Sequence, residues 1–364
     1  MEQVDAVVIG AGAIGLAVAR SLAAAGRSVV ILERETHIGT GTSARSSEVI
    51  HAGLHYPHSS LKERLCIAGK HRLYDWCAAR GVPHRRIGKL TFAAGPDERA
   101  RLEAIAAHAL AVGADEGLRW LETTEVRAAE PALDAAAALL SPSSGIVDSH
   151  AFMLSLLGDA EDHGAVLARC SPAERIVWSP EGWQVHSGDT ALAARIVVNA
   201  AGHGAWDVAR AIEPLDPAHI PPRFLGKGSY FTYSGSVPFS RLIYPLPAAH
   251  DLGTHLTLDL AGQARFGPDL EWVDAIDYAV DPGAKPRFLA AIRRFWPGID
   301  PERLHPGYSG IRPKITGPGE PDADFRIEGE AGHGLSGLVN LFGIASPGLT
   351  ASLAIGDYVA MLCN

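Results

Sequence analysis

The segment VDAVVIGAGAIGLAVARSLAAAGRSVVILERE, residues 4–35, leaves this chain little choice of fold. A short apolar run, Val4–Ile9, turns at Gly10 into an alanine-rich helical stretch that ends near Gly26, and a second apolar run, Ser28–Leu32, closes on Glu33. The change from β-type run to helical period and back predicts a strand–helix–strand unit. Gly10, Gly12 and Gly15 sit at the first strand-to-helix junction. Glycines recur in ordinary tight turns too, but here an acidic residue ends the next strand about 20 positions on, the spacing that dinucleotide binding requires. Gly10 permits the turn, Gly12 lets a pyrophosphate approach the backbone, and Gly15 lets helix and strand pack closely. Ala13 and Ile14 open the helix and Arg34 follows Glu33, so all three are expected along the nucleotide. The Glu33 carboxylate can accept hydrogen bonds from ribose hydroxyls and would repel a 2′-phosphate.

At 364 residues the chain has room for two packed domains. A net charge of -9 argues against nucleic acid or anionic membrane as a general partner, since both call for basic surface. Cys66, Cys77, Cys170 and Cys363 are scattered and form no CxxC pair, so neither a disulfide framework nor a metal site is expected, and a reducing, cytoplasmic compartment fits best. The N-terminal apolar run carries Glu2 and Asp5 where a secretion signal needs positive charge. No apolar run reaches the ~18 to 20 residues of a membrane span, so peripheral membrane contact is the only kind left open.

The glycine fingerprint serves FAD and NAD alike, and the rest of the chain must decide between them. GLVNLFGIASPGLTASLAIGDYVAMLCN, residues 337–364, predicts a buried strand Leu338–Phe342 and a turn of small residues through Gly343, Ala345, Ser346 and Pro347. A helix then starts near Gly348, Leu349 and Thr350. Such a helix start presents free amides and the positive end of its dipole, suited to the negative charge of a reduced flavin, and it is equally compatible with an ordinary terminal helix. Between the ends, ARIVVNAAGHGAWDVARAI predicts a third strand, Val197–Asn199, running into Ala200, Ala201 and Gly202 and then a helix.

Taken together, the fingerprint, VVNAAG and FGIASPGLT resemble the D-amino-acid-oxidase type of FAD-dependent oxidoreductase across essentially the full length. The resemblance implies an α/β fold: a Rossmann-type FAD-binding domain with an inserted α+β substrate domain built on an antiparallel sheet. Residues 1–84, 145–215 and 325–364 would form the first, with the amphipathic stretch LKERLCIAGKHRLYDWCAAR packed on it, and residues 85–144 and 216–324 the second. There KLTFAA, GSYFTYS, THLTLDL and QARFGP read as strands between Pro and Gly turns. Within that superfamily VIHAGLHYPHSSLKERLC, IGKLTFA, SSGIVD, IYPLP, LGTHLTLDLAGQARFGP and IASPGLTASLAIG are similar, in order, to signatures of the L-2-hydroxyglutarate dehydrogenase/oxidase family. This implies FAD-dependent oxidation of the α-hydroxyl of a small anionic 2-hydroxy acid to a ketone by hydride transfer to flavin N5, with L-2-hydroxyglutarate giving 2-oxoglutarate or a related 2-hydroxy acid reacting in its place. Oxygen, a quinone or an electron-transfer protein would accept the electrons.

The same resemblance implies site residues. Arg312 in GYSGIRPKI matches a Gly-hydrophobic-Arg-Pro pattern whose guanidinium grips a substrate carboxylate, with Lys314 a second cation or a solvent-facing one. His51 and His255 match family histidines, and a neutral imidazole suits removal of a hydroxyl proton, so either is a candidate base. Tyr56 and Tyr244 are candidate donors to a carboxylate, and Lys227 stands where the family commonly has arginine. Thr42, Ser43, Ser46, Ser47, His51, Ala52 and Gly53 are expected on the phosphates or the flavin edge. The family's Asn-Ser-Gly-Val is replaced by Ser46, Ser47, Glu48 and Val49, preceded by Arg45, which predicts an internal ion pair or an altered substrate choice. TSARSSEVIHAGLHY also resembles a segment of FAD-dependent glycerol-3-phosphate dehydrogenases, although the long C-terminal extension of those enzymes is not expected here. Arg312 would serve a glycine- or sarcosine-oxidase-like amine oxidase equally well. A non-catalytic flavin scaffold predicts bound flavin without substrate-dependent reduction.

Overall fold

The computed structural model describes residues 2–246 and 253–363. Pro247 of IYPLP and Leu252 of LGTH lie outside the described residues. Five strands form a parallel core in the order Leu338–Phe342, Thr190–Asn199, Glu2–Ile9, Val29–Leu32, Val166–Ala168. A hairpin, Arg175–Ser179 and Gly182–Ser187, pairs antiparallel with the early part of Thr190–Asn199. Val7, Val8 and Val198 are fully buried, as expected of strands covered on both faces. The expected central strand grows from three residues to ten because its first half is held by the hairpin, which the short apolar run did not reveal.

Ile9 stands opposite both Leu32 and Asn199, and Asn199 opposite Asn340. Gly10, Glu33 and Ala200 therefore leave their strands side by side at the carboxyl edge, while Leu338–Phe342 runs two residues further before turning at Gly343. Ligands of open α/β sheets bind at that edge. Two helices cover one face, Ala13–Ala24 and the terminal Gly348–Leu362, joined by Leu61–Arg80, which is capped by Ser60 and stopped by Gly81 in a left-handed conformation. Their apolar sides close the largest hydrophobic cluster with Phe152, Leu156 and Met153 of Ser149–Asp162.

A second sheet of nine strands draws only on residues 89–141 and 224–314. It is antiparallel throughout except where Leu242–Pro245 runs parallel to Lys89–Ala93. Phe224–Tyr233 and Leu304–Lys314 are its longest pair, and aromatic contacts among Phe266, Phe295, Trp296 and Phe239 fill its own core. Among the described residues no helix is long and apolar enough to cross a membrane.

Candidate active site

A cavity of about 520 Å³ runs from Gly10 and Glu33 at the edge of the parallel sheet to Tyr230, Tyr244, His255 and Arg312 on the second sheet. Its first end is made by backbone. Gly10 has φ +104, and a Cβ there would stand 2.7 Å from the Ala200 carbonyl oxygen. A Cβ on Gly15 would stand 1.9 Å from the Gly10 carbonyl oxygen. The helix Ala13–Ala24 has no side-chain cap from Gly12, and its first amide donates to Ser43 Oγ at 3.0 Å. Glu33 is buried, with one carboxylate oxygen accepting from the Ala11 amide at 2.8 Å and the other from the Glu35 amide at 2.9 Å. Thr42 Oγ1 lies 3.0 Å from His203 Nε2, and burial pushes the His203 imidazole down to about 4. A cradle that any added Cβ would fill, an uncapped helix start and an oriented carboxylate are the donor set that a dinucleotide fits. Gly10, Gly12, Ala13, Ile14, Glu33, Arg34, Thr42, Ser43, Ala200, Ala201 and Gly202 all face this cavity and would hold FAD.

The middle of the cavity is closed by the turn before the last helix. Gly343, Pro347, Gly348, Leu349 and Thr350 line it, as do Ser46 and Ser47. Pro347 caps Gly348–Leu362 without a side-chain bond, leaving the helix start open. The Thr350 hydroxyl is engaged: it accepts from the His51 amide at 3.0 Å and donates to the Val49 carbonyl at 3.2 Å, so its proton is committed within the protein. That clamp fixes His51, whose Nε2 lies 3.4 Å from Ser346 Oγ. Burial, with the Lys89 charge next, drives the His51 imidazole well below its ordinary range, so it is neutral at physiological pH.

At the far end Tyr244 and His255 stack face to face, 3.7 Å between ring centres. The ammonium of Lys89, buried to 1 % exposure, lies 5.0 Å from the Tyr244 ring centre, and burial pushes it down to about 8. Arg312 Nη2 donates to the Asp269 carbonyl at 3.3 Å, and no carboxylate pairs with Arg312 among the described residues.

Six residues raised for the site by the sequence are not on the cavity wall. Lys227 is one. Strand alternation puts Gly228 and Arg312 on the cavity face of the Phe224–Tyr233 and Leu304–Lys314 pair, which turns Lys227 to the other face, where its Nζ lies 3.5 Å from Asp277. Tyr56 lies behind the wall, beside Ser346, with burial raising its hydroxyl pKa. Gly15 acts by packing on Gly10, and Ala52 and Gly53 pack away from the cavity, Ala52 against Leu54, Ala109 and Ala114 and Gly53 against Ile67. Lys314 pairs with Asp322.

Arg45 and Glu48 do not pair with each other. Glu48 adopts φ +59; its Oε1 accepts from the Ser149 amide and hydroxyl, and its Oε2 accepts from Arg265 at 2.9 Å. Arg265 also donates to the Tyr308 hydroxyl at 3.2 Å, and Tyr308 stacks on Tyr230. Arg45 instead lies over Tyr278, 3.6 Å from its ring centre. His203, Tyr230 and Tyr278 line the cavity without having been expected there; His203 follows VVNAAG directly, and that adjacency was the one local signal. Among the described residues no group of three or more His, Cys, Asp or Glu is placed to hold a metal ion.

Comparison with known proteins agrees with this geometry. The family model for FAD dependent oxidoreductases (DAO) matches residues 5–362. The mitochondrial L-2-hydroxyglutarate dehydrogenase of Arabidopsis thaliana is 41% identical over 99% of this chain and 83% of its own length. A glycerol 3-phosphate dehydrogenase of Caloramator mitchellensis is 28% identical over 98% of this chain and 72% of its own. Among solved structures, the dithionite-reduced L-alpha-glycerophosphate oxidase of Mycoplasma pneumoniae with FAD bound superposes with a TM-score of 0.89 at 23% identity, covering 100% of this chain and 95% of that one, a likeness of fold. With glycine cradle, buried glutamate and matching family model in agreement, the chain belongs to the DAO family of FAD-dependent oxidoreductases, in its L-2-hydroxyglutarate dehydrogenase-like branch, and its cofactor is FAD.

Proposed function

We propose that the protein oxidises a small 2-hydroxy acid at its α-hydroxyl, with L-2-hydroxyglutarate giving 2-oxoglutarate as the preferred reaction. The observation that carries this is the meeting of Arg312, His51, His255 and Tyr244 on one cavity wall, with the arginine free of any carboxylate partner among the described residues. The 41% identity to a plant L-2-hydroxyglutarate dehydrogenase supports the choice of substrate. When bound, FAD supplies the electron sink for the hydride that leaves the carbinol carbon. Arg312 donates two N–H bonds to the substrate carboxylate and fixes the acid in one orientation. One of the two histidines takes the hydroxyl proton at a ring nitrogen; neutral His51 is in the proton-accepting form at physiological pH. Tyr244, stacked on His255, holds that ring and closes the wall against water. Residues 1–84, 145–215 and 325–364 are assigned to FAD binding and residues 85–144 and 216–324 to substrate binding. A cytoplasmic setting is supported by four cysteines that are all free.

The test is an anaerobic titration of the flavin absorption with L-2-hydroxyglutarate, glycerol 3-phosphate, glycine and sarcosine. Bleaching by the first at the lowest concentration is expected, and no bleaching by it removes the assignment. Arg312→Ala should keep its flavin and lose roughly 100-fold in kcat/KM, the scale of a charge-assisted pair. Reoxidation by oxygen, a quinone or an electron-transfer protein then identifies the acceptor.

A further inference from the structure

Gly228 and Gly310 stand opposite each other in the long strand pair, and their missing side chains let neighbouring groups pack directly on this part of the cavity wall. Two arginines border it. A Cβ on Gly228 would stand 2.7 Å from Arg312 Nη2, and one on Gly310 would stand 2.5 Å from the Arg45 carbonyl oxygen. From there the Arg45 side chain donates from Nη1 to the Ser309 carbonyl at 3.2 Å and lies over the Tyr278 ring. Its Nε is buried with no hydrogen-bond partner among the described residues. Neither guanidinium has a carboxylate partner among them. The one carboxylate on this stretch of wall, Glu48, is spent on Arg265 and Ser149. This part of the wall thus carries two guanidinium groups without a carboxylate partner among the described residues.

Arg312 stands two residues beyond Gly310 on one strand face, and the Arg45 main chain packs on Gly310, so the two arginines approach this wall from neighbouring positions. The terminal carboxyl carbons of an extended five-carbon diacid are ~5 Å apart at ordinary C–C bond lengths. We propose that Arg45 is a specificity-determining residue that binds the distal carboxylate of a dicarboxylic 2-hydroxy acid while Arg312 binds the carboxylate beside the reacting carbon. This rests on the 2-hydroxy-acid activity proposed above. The aromatic backing of Tyr278 and the Ser309 carbonyl hold the guanidinium plane in place, which reduces the rotamer entropy lost on binding. An acid lacking the second carboxylate leaves Arg45 unpaired in the closed site and is discriminated against.

The experiment compares kcat/KM for L-2-hydroxyglutarate and L-2-hydroxybutyrate in the wild-type holoenzyme, Arg45→Ala and Arg45→Lys. Arg45→Ala should lose about 30- to 100-fold on the diacid, mostly through KM, and stay within threefold on the monoacid. Arg45→Lys should recover part of the diacid loss, because the charge survives without the fork. Binding of glutarate against butyrate, read from the visible flavin spectrum, should show the same selectivity without turnover. Equal losses on both acids, no loss on the diacid, or loss of flavin from Arg45→Ala would each overturn the role. Wild-type protein inert to both acids would instead overturn the activity itself, and retained glutarate selectivity in Arg45→Ala would overturn the anchor independently of turnover.

Discussion

The two ends of the cavity are built by opposite means. At the nucleotide end most of the contacts come from one strand–helix–strand unit, Gly10, Gly12, the start of a helix and Glu33, joined by Ser43 and by Ala200–Gly202 from a later strand end. At the substrate end single side chains arrive from remote strands: Tyr244, His255 and Arg312, with Arg45 from the connecting loop. A backbone site tolerates no added atom and fails as a whole, whereas a side-chain site fails one function at a time. The largest expected effect tests the first half of that statement. Gly15→Val places carbon where the Gly10 carbonyl already stands, and the purified protein should lack flavin absorption; a variant with full flavin content would erase the distinction between the ends.

Next in size are the histidines. Of His51→Ala and His255→Ala, the one that removes the base should slow flavin reduction by roughly 10²- to 10⁴-fold in anaerobic stopped-flow while flavin stays bound, and the other far less. The His51 pKa is depressed, so if it is the base the reduction rate is flat through neutral pH and falls only as pH drops through that lowered value. A rate falling already near the ordinary histidine pKa assigns the proton to a different group.

A smaller effect separates binding from stability. Lys89 has a folded pKa of about 8 against 10.5 in an exposed lysine, so below pH 8 the fold carries a buried charge it disfavours. The unfolded chain binds more protons between those values, and stability therefore rises with pH across that window. Lys89→Met should stabilise the apoprotein at pH 7 by on the order of 3 kcal/mol, with the gain vanishing above pH 10.5. Equal denaturant midpoints for the two proteins at pH 7 would rule this out. Smallest of all, Lys227→Met should leave kcat/KM within about threefold, as expected for a weak pair with an exposed Asp277. A loss on the Arg312 scale would put Lys227 back among the substrate contacts.

Legibility in the sequence follows the same divide. The strand Leu338–Phe342 and the turn into the last helix were readable to the residue, because an apolar run bounded by small residues is a local signal. The glycine cradle was readable because its chemistry lies within one βαβ unit. Lys227 was not: Phe224–Tyr233 is buried on both faces over most of its length, which erases the polar–apolar alternation that would tell which side chains point inward. Tyr56 sits in a loop with no periodicity, and the contact of Tyr278 with Arg45 joins residues more than 200 positions apart. The partner of Glu48 was also invisible, since Arg265 is set opposite it by sheet closure and by no spacing along the chain.

The cavity wall draws on Gly10, Glu33, His51, Ala200, Tyr244, Arg312 and Gly348, so a ligand seated in it bridges chain segments far apart in sequence. Ligand capture and the final docking of the two sheets then belong to one linked equilibrium. At a free FAD concentration 100 times its dissociation constant, that linkage adds about 2.7 kcal/mol to the folded state. The dinucleotide is thus a keystone of the architecture as well as a reagent, since any ligand that binds the folded state alone raises the folded fraction.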